Sequence, residues 1–298
     1  MKILITGANG FLGQHLTLHL AAKGYHVLAV SRGDCRIPLP HNFIFASLDI
    51  TEKQPVDALV KVYAPDVIVH AAAISKPDEC EKNRPACLLH NVTATQFLLH
   101  ALQALPQGKS QFIYISTDFV FGENGPHAEE DEKGPLNFYG ESKLQAERLV
   151  EQSGLPFSIV RPVFIYGAVW QGLRPSFLHW VKNNLEKGQP IKVVSDQQRT
   201  PTFVEDLCKG IESIIENRKT GVYHLAGKNI LSPWQMAMDT AAILGLDAAL
   251  IENVTSQSFA EPVKRAKKSG LKIDKAIHEL DYNPVDFKEG IRSTFNIT

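Results

Sequence analysis

"KILITGANGFLG", Lys2 to Gly13, decides the fold. A short apolar run passes straight into three glycines, Gly7, Gly10 and Gly13, and the amphipathic stretch "FLGQHLTLHLAAKG" follows. Glycine is needed where a chain turns tightly and where backbone N–H groups must approach a phosphate with no Cβ in the way. The third glycine lets helix and strand pack closely, and the helix N-terminus offers free donors and partial positive charge to a pyrophosphate. Strand, glycine turn and helix in this order predict dinucleotide binding, with Gly7, Asn9, Gly10, Phe11, Leu12 and Gly13 as the residues of the turn.

Further along the chain, "HVLAV", "NFIFA", "DVIVH", "QFIYIS" and "FSIVRP" read as strands, separated by helical stretches such as "ACLLHNVTATQFLLHALQ". Strands apolar on both faces and alternating with helices predict an α/β fold, a doubly wound parallel sheet of the Rossmann type. After Gly167 the rhythm changes. "PSFLHWVKNNLEKG", "VEDLCKGIESIIENR", "SPWQMAMDTAAILG" and "DKAIHEL" read as helices, and "IKVVS" and "GVYHLAG" as strands. The expected division is a dinucleotide-binding domain over 1–166 and a smaller α/β substrate-binding lobe over 167–298, with some segments returning to the first.

The bulk numbers narrow the function. With 44% hydrophobic and 21% charged residues, the 298-residue chain has the make-up of a globular protein with a large core. A formal net charge of -1 gives no field for nucleic acid or an anionic membrane. Its apolar runs are too short to span a bilayer, and "MKILITG" enters a strand at once, leaving no room for a cleaved leader. The four cysteines, Cys35, Cys80, Cys87 and Cys208, show no zinc or CxxC spacing, so they read as reduced thiols of a cytoplasmic protein.

The second strand ends "VLAVSRGDCR". Arg32 there suits the 2′-phosphate of NADPH; in the other reading it stacks on adenine or is solvated, Asp34 holds the ribose, and NADH serves. Asp49 and Ile50, after the third strand, border the adenine. Ala71, Ala72 and Ala73, after the fourth, either leave room for the middle of the cofactor or simply pack closely. The fifth strand delivers Ser116, Thr117 and Asp118 to the carboxyl edge, where such sheets bind ligands.

Tyr139 and Lys143 follow in "LNFYGESKLQAE", four apart on one helical face, with Asn137 as the expected N-cap. An ammonium and a helix N-terminus near a phenol favour its ionised form and bring it towards working pH. Tyr139 would then give a proton to a carbonyl oxygen during reduction, Thr117 would hydrogen-bond the same oxygen, and Lys143 would hold the nicotinamide ribose. His15 and His19 read as helix-surface histidines, and the acidic run Glu129–Glu132 as a solvated rim; no metal site is expected.

The combination of "TGANGFLG", "STD" and "YGESK" resembles the extended short-chain dehydrogenase/reductase family, and within it the dTDP-4-dehydrorhamnose reductases. "VRPVFIYG", "VVSDQQRTPTFVEDL" and the tail "EPVKRAKKSGLKIDKA" carry the likeness over the whole chain. It implies reduction of the C4 keto group of a nucleotide-linked 6-deoxy-hexulose, in dTDP-L-rhamnose biosynthesis, with Thr117, Tyr139 and Lys143 as the catalytic trio. It also implies Asn91 as a helix residue flanking the cofactor and active site, the other reading being a helix-internal packing amide. Phe164 stands where those reductases usually carry tryptophan, and can stack on a sugar face without the indole donor. Arg199, in the second lobe, is expected either at the substrate's diphosphate or in a structural ion pair. Ser116 and Asp118 complete the expected substrate contacts, and a homodimer remains open.

Two neighbouring functions share the pattern. A nucleotide-sugar epimerase uses the same trio but retains its cofactor. The regulatory beta subunit of methionine adenosyltransferase shares the "STDFVF" and "RTPT" signatures and acts as a partner of a synthetase. A dehydratase would carry a second carboxylate after Asp118, where this chain has Phe119.

Overall fold

A computed structural model describes residues 1–38, 42–106, 110–170, 172–259 and 262–297. Glu261, which opens the tail motif, lies outside the described residues. Six strands, β1 (Lys2–Thr6), β2 (His26–Ser31), β3 (Phe43–Ser47), β4 (Val67–His70), β5 (Gln111–Ile115) and β6 (Phe157–Arg161), form one parallel sheet. A seventh member, Gly221–His224, pairs in parallel with β6. Two pairs of short strands lie outside it: β7 (Ile165–Tyr166) with β9 (Thr202–Phe203), and β8 (Ile191–Val194) with β11 (Ile251–Val254). Gly221–His224 is therefore β10, and the main sheet runs β10-β6-β5-β4-β1-β2-β3.

The helices are α1 (Phe11–Ala22), α2 (Lys53–Tyr63), α3 (Pro77–Lys82), α4 (Arg84–Leu88), α5 (Ala94–Gln103), α6 (Phe138–Glu151), α7 (Phe177–Leu185), α8 (Val204–Glu216), α9 (Pro233–Leu244), α10 (Asp274–Leu280) and α11 (Phe287–Phe295). Leu12, Leu16 and Leu20 of α1 join Leu207, Ile211 and Ile214 of α8 over one face of the sheet. Val56 and Val60 of α2, Leu98 and Leu102 of α5, and Ala146 and Val150 of α6 cover the other. Strands β4 and β5 are buried along their whole length, which is why they read as unbroken apolar runs. Each fully buried leucine or isoleucine contributes about 1.5–3 kcal/mol, and both faces are lined with them.

Strand order reverses between β1 and β4, so their carboxyl ends diverge and leave a crevice at that point. The second half of the chain supplies its far wall. Helices α7 and α9 with β8 and β11 enclose a separate small core, while α8, β10 and α10 pack with the first lobe. Residues beyond 166 thus serve both lobes, and β11 and α11 are elements the sequence reading did not single out. The stretch "ACLLHNVTATQFLLHALQ" is not one regular helix: a π-helical turn, Leu89–Thr93, separates α4 from α5.

Two surface expectations are corrected by burial. His15 is only 6% exposed, its Nε2 lies 2.9 Å from the Ala168 carbonyl and its ring stacks on Trp170 at 4.0 Å. Glu129 is buried as well, accepting from the His224 N–H at 3.0 Å. Its carbonyl takes a bond from Arg161, whose guanidinium forms a two-bond pair with Glu147 at 2.9 and 2.7 Å. The acidic run therefore begins inside a buried charge network, where periodicity shows only polar residues in a loop.

Candidate active site

The crevice opens into a cleft of ≈ 740 Å³. One end is built by the glycine turn. At Gly7, with φ +71°, a Cβ would lie 2.7 Å from the Ala72 nitrogen, and at Gly13 it would lie 2.1 Å from the Gly7 carbonyl. Neither position admits a side chain. The first helical bond of α1 runs from Gln14 N–H to Gly10 O at 3.0 Å; no side chain caps the helix and its first turn carries no carboxylate. Backbone donors and the positive end of the helix dipole thus face the cleft without competition, which fits a pyrophosphate.

Asn9 lines the same end, but its side chain is committed to the loop after β2. Its Nδ2 donates to the carbonyls of Arg32 (3.3 Å) and Asp34 (2.9 Å), and its Oδ1 accepts from Arg36 N–H at 2.9 Å. That clamp sets the loop so that Arg32 and Arg36 both line the cleft. Arg32 lies 3.6 Å from Asp49, and Ile50 and His90 complete this end. Asp34 does not line the cleft, so the ribose role weighed for it has no geometric support. Ala71, Ala72 and Ala73 do line it, and the Ala72 backbone sits against Gly7.

Of the two readings of Asn91, flanking the cofactor or packing as an internal amide, the contacts fit the second. It is buried behind the cleft wall, accepting from Ile74 N–H (2.8 Å) and donating to the Ile74 carbonyl (3.1 Å) and Ser142 Oγ (3.0 Å). The π-helical turn carries both it and its neighbour, so His90 reaches the cleft while Asn91 ties the loop after β4 to α6. Asn91 holds the wall in place; it is not among the residues lining it.

At the other end stand Ser116, Thr117, Asp118, Tyr139, Lys143 and Phe164. Asn137 caps α6, accepting from Gly140 N–H at 3.1 Å, so Tyr139 lies in the first turn and Lys143 one turn on. Lys143 Nζ donates to the Ile115 carbonyl at 2.7 Å and lies 4.0 Å from the centre of the Tyr114 ring. Ser116 Oγ is buried and has no hydrogen-bond partner among the described residues, although the residue lines the cleft.

The protonation states depart from the expectation. Burial raises the Tyr139 pKa strongly; the Thr117 hydrogen bond opposes this, while Asp118, Cys80 and Cys87 add to it. Burial likewise lowers Lys143 to about 7, against the pull of Glu147. The amine therefore does not bring the phenol down in this fold, because desolvation outweighs the charge. Tyr139 is held as the protonated phenol, which is the form that donates.

Asp118 is fully enclosed, accepts from Ser269 Oγ at 2.8 Å, and has its pKa raised by burial against the opposing charge of Arg199. Arg199 does not line the main cleft. It borders a small cavity behind it with Asp118, Arg265 and Ser269, and donates to Gln197 Oε1 at 3.0 Å and to the Gln198 carbonyl. Of its two expected roles, the structural one has the contacts. Phe164 adopts φ +43°, is 37% exposed at the cleft, and meets Phe177 edge-on at 5.6 Å. Left-handed backbone is unusual for a bulky residue.

The sequence reading missed Ile74, Ser75, Arg36, His90, Pro162, Ile165, Arg174 and Ser176, all of which line the cleft. Arg36, His90 and Pro162 adjoin quoted motifs and were within reach. Arg174 and Ser176 come from an irregular loop that carries no periodic signal. Among the described residues no group of three or more metal-ligating side chains is assembled, and no helix is long and apolar enough to cross a membrane.

Comparison with known proteins fixes the kinship. The model of the RmlD substrate binding domain matches residues 1–298. The chain belongs to the RmlD family. As an RmlD-family chain it is 29% identical over 293 residues to the spore coat polysaccharide biosynthesis protein SpsK of Bacillus subtilis, covering 98% of this chain and 95% of that one. It is 29% identical over 306 residues to the dTDP-4-dehydrorhamnose reductase of Aggregatibacter actinomycetemcomitans (98% and 97% covered). The beta subunit of methionine adenosyltransferase 2 from Danio rerio is 26% identical over 300 residues (98% and 90%). Among solved structures, the dTDP-4-dehydrorhamnose reductase of Bacillus anthracis in complex with NADP superimposes with a TM-score of 0.86 at 26% identity, covering 100% and 99% of the two chains.

Proposed function

We propose that this RmlD-family chain is an NADPH-dependent oxidoreductase that reduces the C4 keto group of dTDP-6-deoxy-L-lyxo-4-hexulose to give dTDP-L-rhamnose. The observation that carries the reading is one cleft holding a side-chain-free phosphate cradle at one end and a protonated Tyr139 beside Thr117 at the other. The cofactor, when bound, supplies hydride to the carbonyl carbon. The donors of the α1 N-terminus hold its pyrophosphate, and Arg32 with Arg36 meets its 2′-phosphate in preference to the bare ribose of NADH. Lys143 holds the nicotinamide ribose.

As the carbonyl oxygen gains charge, Thr117 hydrogen-bonds it and Tyr139 hands over the phenolic proton. The burial that raises the Tyr139 pKa makes this transfer costly until charge has developed on the oxygen, and a dry pocket strengthens both hydrogen bonds when it does. Phe164 offers a ring face to the sugar, and Ser116 an unengaged hydroxyl. Asp118 accepts from the Thr117 hydroxyl at 3.2 Å, and that single proton turns to the carbonyl oxygen as charge develops on it. With a phosphorylated sugar and a reduced nicotinamide as reactants, the cytoplasm is the compartment this reading assigns.

The test mixes the chain with NADPH or NADH and the dTDP-linked 4-keto-6-deoxy sugar made in place by its 3,5-epimerase, and follows loss of reduced nicotinamide absorbance. Stoichiometric loss with dTDP-L-rhamnose as product is the expected result. Binding of cofactor without turnover would favour a subunit role, the reading to which the likeness to the Danio rerio protein lends weight. Tightly held cofactor that never exchanges, with the sugar interconverted, would mark an epimerase.

A further inference from the structure

Two buried thiols behind the cleft take no part in the chemistry above. Cys80, near the end of α3, and Cys87, in α4, are both fully enclosed and share one apolar cluster with Phe138 and Tyr139, packed against Ile74, Leu88 and Phe119. Asn83 breaks the chain between α3 and α4, and residues seven apart share one cluster, a spacing that signals nothing in the sequence.

Their hydrogen bonds converge. Cys80 Sγ donates to the Ile74 carbonyl at 3.4 Å, and Asn91 Nδ2 donates to that same carbonyl at 3.1 Å and to Cys87 Sγ at 3.4 Å. Cys87 also lies 3.3 Å from Ser142 Oγ, which donates to the Tyr139 carbonyl at 2.7 Å. Ile74, Phe119 and Tyr139 line the cleft as well, so a single layer of side chains separates the pair from it.

We propose that Cys80 and Cys87 form a redox-active dithiol that a peroxide converts to a Cys80–Cys87 disulfide, disabling the catalytic helix beside it. The Cys87 thiolate attacks one peroxide oxygen, the O–O bond breaks, and hydroxide leaves as a sulfenic acid forms on Cys87. Cys80 sulfur then attacks the Cys87 sulfur. The S–O bond breaks, the oxygen departs as water with the Cys80 proton, and the two thiols have given up two electrons and two protons to make two waters from the peroxide.

The surroundings favour Cys87 as the attacking sulfur. Its neighbour Cys80, together with Ser142 and Lys143, brings its thiol down to about 7, and Cys80 is shifted in the opposite sense by the same contact. Asn91 Nδ2 also donates to the Cys87 sulfur, so its surroundings favour the anion that reacts with peroxide. Forming the bond alters the sulfur that accepts from Asn91 and touches Ser142. The tie between the loop after β4 and the first turn of α6 then shifts, and Tyr139 with it.

The experiment exposes the native full-length chain to hydrogen peroxide, then takes a non-reducing peptide mass map alongside steady-state rates. The expected product is an internal link between Cys80 and Cys87, about 2 Da lighter than the dithiol, with kcat about tenfold or more lower, KM little changed and full recovery in dithiothreitol. Cys80→Ser should fold, turn over normally and resist peroxide, whereas Cys208→Ser should stay sensitive. Oxidation confined to the exposed Cys35, or a Cys80→Ser chain that loses activity as fast as the parent, would overturn the proposal. The mass map needs no substrate, so it stands or falls separately from the reductase reading.

Discussion

Tyr139 keeps its proton in this fold because its surroundings cannot solvate a phenolate, and this shapes what its removal should do. Tyr139→Phe deletes one hydroxyl from a well-packed apolar cluster, so folding should survive. A general acid is worth about 10²–10⁴-fold, and kcat should fall by that factor. NADPH affinity, measured by fluorescence titration, should stay within about threefold because the phosphate cradle lies at the far end of the cleft. Thr117→Val should cost about 10²-fold or more by removing the other bond to the developing oxyanion. Near-normal turnover by either variant would remove the trio from the chemistry. Both residues were legible in the sequence as types at a spacing; their protonation was not, since the ammonium argument took no account of desolvation.

Helix α6 brings Tyr139 and Lys143 up to Thr117 only because it lies hard against the turn after β5. At Gly140 an added Cβ would come within 2.2 Å of the Phe119 carbonyl. Gly140→Ala should therefore destabilise the chain by about 1–3 kcal/mol, although alanine is intrinsically the better helix former by about 1 kcal/mol. It should also lower kcat, because the strain is relieved by pushing Tyr139 away from Thr117. Urea unfolding and steady-state rates on the same preparation test both claims, and a stabilised variant would contradict this account of the contact. The Asn137 cap and the start of α6 were readable from local chemistry, whereas the need for Gly140 comes from its contact with Phe119. The π-helical turn at Leu89–Thr93 was not, because one extra residue per turn leaves the apolar pattern on either side intact while re-aiming His90 and Asn91.

Across the whole molecule, two fully or nearly enclosed imidazoles make stability depend on pH. Burial lowers His70 to about 3, with Lys143 adding to the effect, and lowers His224 to about 3, with Arg161 adding to it. Between those values and the ordinary 6.5 the unfolded chain binds protons that the fold refuses, so stability falls as pH drops through that window. From pH 7 to 5.5 the two together should cost about 2–3 kcal/mol. Asp118 and Glu129, whose pKa values burial raises, oppose the trend at lower pH. Urea midpoints at pH 7 and 5.5 provide the measurement, and His224→Gln should reduce the slope, with His15, His90 and His179, also lowered by burial, carrying part of what remains. Equal midpoints for the parent chain would show that both imidazoles accept protons while folded.

Lys2 to Gly13, the alternating apolar runs, and the Ser116–Asp118 and Tyr139–Lys143 stretches by themselves determined the sheet, its glycine turn and which candidate residues reach its edge. Each of those signals is local, carried by residue type at fixed spacing along one element. Tertiary structure alone decided that Asn91 braces the wall, that Arg199 sits behind the cleft, that Glu129 and His15 are interior, and that Cys80 and Cys87 meet. Those outcomes depend on which segments the fold lays against one another, and on how much water that packing leaves around each charge.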